Sequence, residues 1–175
     1  PTKLFYTGKK ELFDDQSLDD SFLKALASGG FQVGELAKIY HPDGHMIETL
    51  NYDQAVKETD EFLQQDNVII YEAALRHENL FVRVDVLVKK GNNVKLIEVK
   101  SKSFDPDEED PFYDKRSLKK GTPKLKEKWR PYLEDIAFQT YVAQLAKPGY
   151  QYTPYLMLAD KSKRATVSGI NQLFL

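Results

Sequence analysis

The strongest chemical signal in this chain is Asp85, followed after twelve intervening residues by Glu98 and Lys100 in the string Leu96-Ile97-Glu98-Val99-Lys100-Ser101. Both acids fall within β-branched, apolar sequence, where a buried carboxylate left unpaired costs roughly several kcal/mol. Two carboxylates brought together also repel unless a cation or a proton lies between them. A divalent cation answers both problems. Magnesium or manganese takes oxygen ligands from one or two carboxylates and leaves its other positions to water and phosphate. The expected chemistry is metal-assisted hydrolysis of a phosphodiester. Asp85, Glu98 and the Val99 carbonyl are the expected ligands, and Lys100 is expected to orient or deprotonate the attacking water or to stabilise the transition state. A plain alternative is an exposed cross-strand ion pair, which would contribute little.

These residues need a β-hairpin to position them. Val68–Arg76, Leu80–Lys89 and Val94–Lys102 read as three strands, joined by His77-Glu78-Asn79 and Lys90-Gly91-Asn92-Asn93. Connections this short make the strands antiparallel neighbours. The two-residue period puts Leu80, Val82, Val84, Val86 and Val88 on one face, with Phe81, Arg83, Asp85 and Leu87 opposite. It also puts Glu98, Lys100 and Lys102 on one side of the third strand. Helices are expected at 19–28, at Phe31–Tyr40, from Asp53 to about Gln65, and through Tyr132–Ala146 behind Pro131. His41-Pro42-Asp43-Gly44 reads as a turn, and Tyr152–Leu158 as a further strand of the same sheet. His41 and His45 have the i, i+4 spacing of some zinc sites, but Pro42 and Gly44 break any helix between them.

A strand bearing Asp, a hairpin, a strand bearing Glu-Val-Lys and a long helix carrying Gln139 together resemble the PD-(D/E)XK nuclease superfamily. Within it the chain is most similar to RecB-type exonuclease domains, including the nucleases of CRISPR adaptation. The resemblance spans roughly residues 30–158. It implies an α/β, restriction-endonuclease-like core: a mixed central sheet with an antiparallel three-stranded start, flanked by helices. It implies a magnesium- or manganese-dependent nuclease, a DNA exonuclease or a flap- or end-processing enzyme, with Asp85, Glu98, Lys100 and Gln139 catalytic. The competing expectation is a nucleic-acid- or partner-binding module on the same fold, with little or no catalysis.

The chain departs from the family pattern in three places. The family's Gln-x-x-x-Tyr motif keeps only Gln139, because Tyr141 comes two residues on. Asp135, one helical turn earlier, is expected to line the cleft with Gln139. Relatives place a metal-binding His on the first helix; Gly34 stands there, and the adjacent Glu35 is the candidate ligand by analogy with other branches. With no cysteine, the cluster found in some relatives is excluded. Glu72, on the first strand, either faces the site or pairs with Arg76 or Arg83.

Charge is distributed unevenly about a net of −2. Residues 103–110 hold five acids and no base, whereas residues 111–130 hold eight bases against two acids, a net of +6. A local basic segment can bind phosphate on an acidic protein; the alternative is a solvated loop. Lys102, Lys119, Lys120 and Lys124 are the expected phosphate contacts. Among the flanking aromatics Phe112, Tyr113, Trp129 and Tyr132, Trp129 is the candidate for stacking on bases. The expected partner is nucleic acid, DNA as single strands or ends, and not a membrane.

Composition closes off other classes. With 41% hydrophobic and 30% charged residues, the chain suits one globular domain over 1–175, with the charged loop at 103–130. The absence of cysteine excludes disulfides, thiolate metal sites and cysteine nucleophiles. No secretory signal is evident at the N-terminus, so a cytoplasmic location is the default expectation. Pro1 and the terminal Asn171–Leu175 are also compatible with a domain of a larger chain or complex.

Overall fold

A computed structural model describes residues 33–160 and 162. The helix expected at 19–28, and the start of the one expected at Phe31–Tyr40, lie outside these residues. The described elements are α1 (33–40), β1 (His45–Met46), α2 (Tyr52–Phe62), β2 (Asn67–His77), β3 (Leu80–Lys90), β4 (Asn93–Phe104), α3 (Lys115–Lys119), α4 (Arg130–Ala146) and β5 (Gln151–Asp160). They form an α/β fold around one five-stranded mixed sheet, ordered β1-β2-β3-β4-β5.

β2, β3 and β4 are an antiparallel meander. The two-residue turn Gly91–Asn92 closes the pair Lys90–Asn93, with Gly91 at φ 56°, a conformation glycine adopts without Cβ strain. β5 returns parallel to β4 after the α4 crossover, as a parallel neighbour requires. β1 lies parallel to β2 at Ile70 and Tyr71 and was not expected from the sequence, since two residues show no period. The turn before it packs tightly: Gly44 N–H donates to the Tyr71 hydroxyl at 3.1 Å, and a Cβ on Gly44 would lie 2.3 Å from the tyrosine ring. No other residue fits there without displacing Tyr71.

Both sheet faces are apolar. On one face Ile70, Ala73, Leu75, Val82, Val84, Leu87 and Leu96 pack with Ala55 and Leu63, at α2, and with Ile136, Val142 and Ala143 of α4. α2 begins at the Asn51 cap, whose side chain accepts from Gln54 N–H at 3.0 Å. It ends at Phe62, short of Gln65, because Gln64 and Gln65 donate to carbonyls three residues back. The buried Thr59 hydroxyl donates to Ala55 O and accepts from Ala74 N–H, both at 2.9 Å, and so fastens α2 to β2. On the other face Ala37 of α1 meets Tyr71, Val86, Val88 and Ile97.

The face assignment of β3 therefore needs correcting. Val82 and Val84 belong to one face, but Val86 and Val88 belong to the other, and Leu87 joins the first. The alternation slips at Asp85. Opposite it on β2, Glu72 adopts φ 56°, and the Glu72–Asp85 pair is missing from an otherwise continuous ladder. A left-handed backbone at a non-glycine residue reverses which side its successors face, and it costs on the order of 1–3 kcal/mol.

The charged segment is folded. Tyr113 bridges Leu125, Asp114 N–H donates to Lys124 O at 2.9 Å and Lys126 N–H to Phe112 O at 2.8 Å. Asp114 caps α3 through Ser117 N–H. Trp129 is 1% exposed, packs against Phe104, Phe112 and Tyr132, and donates Nε1–H to Pro111 O at 2.7 Å. Base stacking on Trp129 is thereby corrected: its ring is an anchor and has no free face. Trp129→Ala should cost about 3–5 kcal/mol and lower the melting temperature by roughly 10 °C, as a thermal melt would show. A drop of only a degree or two would mean that the anchor is dispensable.

Candidate active site

The site forms where two strands part. The β3–β4 ladder ends at Val86–Ile97, so the next opposed residues would be Asp85 and Glu98. In place of a strand carbonyl, the Asp85 carboxylate accepts the Val99 N–H at 2.6 Å. The other side of β4 stays in register with β5 through Glu98–Leu156, Val99–Met157 and Lys100–Leu158. The fork therefore exposes Asp85 and Glu98 to each other while β5 keeps the Glu-Val-Lys backbone fixed.

Glu98 is 5% exposed, so it is no member of an exposed surface pair. One of its oxygens, Oε1, lies 2.5 Å from Lys100 Nζ, and Oε2 accepts from Gln139 Nε2 at 2.5 Å. Lys100 also donates to Asp135 Oδ2 at 3.0 Å. Asp135 and Gln139 are four apart on α4, so one helix face presents both. Gln139 is itself buried, and its Oε1 has no hydrogen-bond partner. A buried orphan acceptor needs a donor to complete it.

The fork disfavours the ionised form of Asp85. Burial, reinforced by Glu98, pushes the Asp85 carboxyl up to about 7 against the Val99 hydrogen bond; Glu72 adds to the rise and Lys100 opposes it. Burial alone would lower the Lys100 ammonium, but hydrogen bonds to Glu98 and Asp135 outweigh it and hold the group above the usual lysine range. Lys100 is thus held as a cation between Glu98 and Asp135.

Other expected residues have partners outside this set, although Glu72 stays close enough to Asp85 to act on its charge. Glu35 pairs with Lys38 at 2.5 Å along α1. Among the described residues no three of His, Cys, Asp and Glu converge on one point. Glu72 pairs with Arg83 at 3.3 Å. Lys102 is half-buried and lies within a register break between Lys100 and Ser103, so the two-residue period that joins Glu98 to Lys100 stops before it. His45 stacks on Phe62 with centroids 4.3 Å apart, while His41 lies beside Lys95 and Tyr155. Sequence reading gave no role to Arg83 beyond pairing with Glu72, yet it also donates to Ile47 O at 2.6 Å and Thr49 O at 2.9 Å. An arginine interrupting a valine run was the available signal.

Asp85, Glu98 and the Val99 carbonyl are all oxygen donors, the kind a hard divalent cation takes, and at present Lys100 and Gln139 engage the two Glu98 oxygens and the Val99 N–H one Asp85 oxygen. Magnesium asks for few protein ligands, so a third carboxylate is not required. Among the described residues no helix is long and apolar enough to cross a membrane. No family model, curated protein or solved structure matches the chain.

Proposed function

We propose that the chain is a divalent-metal-dependent nuclease of the PD-(D/E)XK type, acting on DNA as an exonuclease or a flap- or end-processing enzyme. One observation carries the reading: Asp85 and Glu98 are set opposite each other at a strand fork, with Lys100 bound to Glu98 and buried Gln139 behind it. The order helix, three antiparallel strands, helix, parallel strand is compatible with a restriction-endonuclease-like core.

Each residue has a role that its surroundings support. Asp85, Glu98 and the Val99 carbonyl would hold magnesium or manganese, which when bound supplies Lewis acidity toward the scissile phosphate and toward water. Asp85 is oriented by the Val99 N–H, and Glu98 by the Gln139 amide. Lys100, kept cationic, neutralises negative charge that develops on the phosphoryl oxygens in the transition state. Asp135 holds the other side of that ammonium and sets its direction. Gln139 Oε1 is placed to accept a proton-bearing ligand, such as water, beside Glu98.

Cleavage of end-labelled single-stranded DNA, duplex DNA and RNA with manganese, magnesium or EDTA tests the reading. Metal-dependent cleavage, with DNA preferred, is expected. Absence of cleavage of every substrate in both metals would leave the binding-module alternative in its place.

A further inference from the structure

Resting on the nuclease reading, we infer that residues 111–126 form a rigid knuckle that grips the sugar–phosphate backbone of the polynucleotide, without reading its bases. Acids and bases sort themselves along this segment. Glu108 pairs with Lys126 at 2.7 Å and approaches Lys128 at 3.9 Å, Glu109 reaches Lys115 at 4.0 Å, and Arg130 pairs with Glu127 and Glu134. The acidic run at 103–110 and the two glutamates near Arg130 thus neutralise the root of the knuckle. Arg116, Lys119, Lys120 and Lys124 are exposed and make no ion pair with a described residue.

The backbone that carries those four cations is cross-linked. Ser117, itself buried, donates its hydroxyl to Asp114 O at 2.6 Å and accepts Lys124 N–H at 2.8 Å. One side chain therefore ties α3, which bears Arg116 and Lys119, to the returning segment that bears Lys124. Gly121, at φ 70°, turns the chain between them. Pre-ordering reduces the entropy lost when the cations meet phosphates.

The knuckle is also rooted in the site's own elements. The segment 105–129 that carries it leaves β4 at Phe104, four residues past Lys100, and enters α4 at Arg130, five residues before Asp135. The Trp129–Phe104–Phe112 cluster clamps both roots together. With Trp129 buried, the knuckle presents the four cations and one exposed ring, Tyr113, to a polyanion. Phosphate contacts from the cations position a nucleic acid and carry no sequence information.

The test is equilibrium binding of labelled 30-mers in EDTA, read by fluorescence anisotropy from 50 to 200 mM salt. The arms are single-stranded DNA, duplex DNA and RNA, each in two unrelated sequences. Four phosphate contacts contribute about 3 to 4 to the slope of log Kd against log salt. R116S/K119S/K120S/K124S should remove most of that slope and weaken binding by about 100-fold at 50 mM salt. K57S/K90S/K95S, which removes charge elsewhere, should leave the slope unchanged. A second variant, K119E/K120E, should abolish measurable binding, and melting curves check that both variants remain folded. An unchanged slope in the knuckle variant, equal loss in the charge control, a strong preference between the two sequences, or no binding of any polynucleotide by wild type would each overturn the inference. Knuckle-dependent binding without cleavage in any metal would uphold it and overturn the nuclease reading instead.

Discussion

Lys100→Met should lower the single-turnover rate of DNA cleavage by about 100- to 1,000-fold, the usual cost of losing one preorganised group at a developing charge. Manganese binding should persist in the same variant. Lys100 Nζ lies 2.5 Å from Glu98 Oε1, an oxygen that a metal would also use. Methionine keeps the aliphatic stem and removes only the ammonium, so Glu98 loses a competitor for its lone pairs. Rapid-quench cleavage and a manganese titration of the same preparation separate the two effects. Loss of both together would mean that Lys100 serves to build the site, and equal cleavage by wild type and variant would remove it from the chemistry.

Asp85→Asn should make the protein more stable in EDTA at pH 8 while abolishing cleavage. The Asp85 carboxyl is pushed up to about 7 from an ordinary value of 3.8, by burial first and Glu98 second. Between these values the folded protein holds a proton that the unfolded chain has released. This contribution is therefore fully present below about pH 4, declines as pH rises toward 7, and is gone above it. Ionised Asp85 thus burdens the metal-free protein at pH 8 by on the order of 2–4 kcal/mol. Asparagine still accepts the Val99 N–H and carries no charge. The variant should melt roughly 5–12 °C higher than wild type at pH 8, with the gap largely closed at pH 4. Manganese should raise the melting temperature of wild type at pH 8 and leave the variant unmoved. A variant less stable than wild type in EDTA would show that the two carboxylates are not in conflict.

Much of the frame was legible because its signals are periodic or local. Valine-rich runs between hairpin-length turns marked β2, β3 and β4, and Pro131 marked the start of α4 within a residue. Glu98 and Lys100 were placed correctly because β4 stays regular as far as Lys100. The failures share a cause: a local break in the period. Glu72 at φ 56° and the missing pair at Asp85 move Val86 and Val88 to the opposite face, which no alternation rule foresees. The break between Lys100 and Ser103 detaches Lys102 in the same way. Trp129 illustrates a different limit. A tryptophan beside a basic run has the composition of a stacking platform, yet burial by Phe104 and Phe112 depends on contacts distant in sequence. β1 was invisible because two residues have no pattern; it exists through pairing with Ile70 and Tyr71.

On the proposed reading, Asp85 and Glu98 share a divalent cation on which phosphodiester cleavage depends. Single-turnover cleavage of labelled DNA across a manganese titration from zero, for wild type and Glu98→Gln side by side, tests it most directly. Wild type should show no cleavage without metal and a rate that rises to saturation, while Glu98→Gln stays at background throughout. A metal-independent rate in wild type, or a Glu98→Gln curve that follows it, would mean that the two carboxylates hold no catalytic metal.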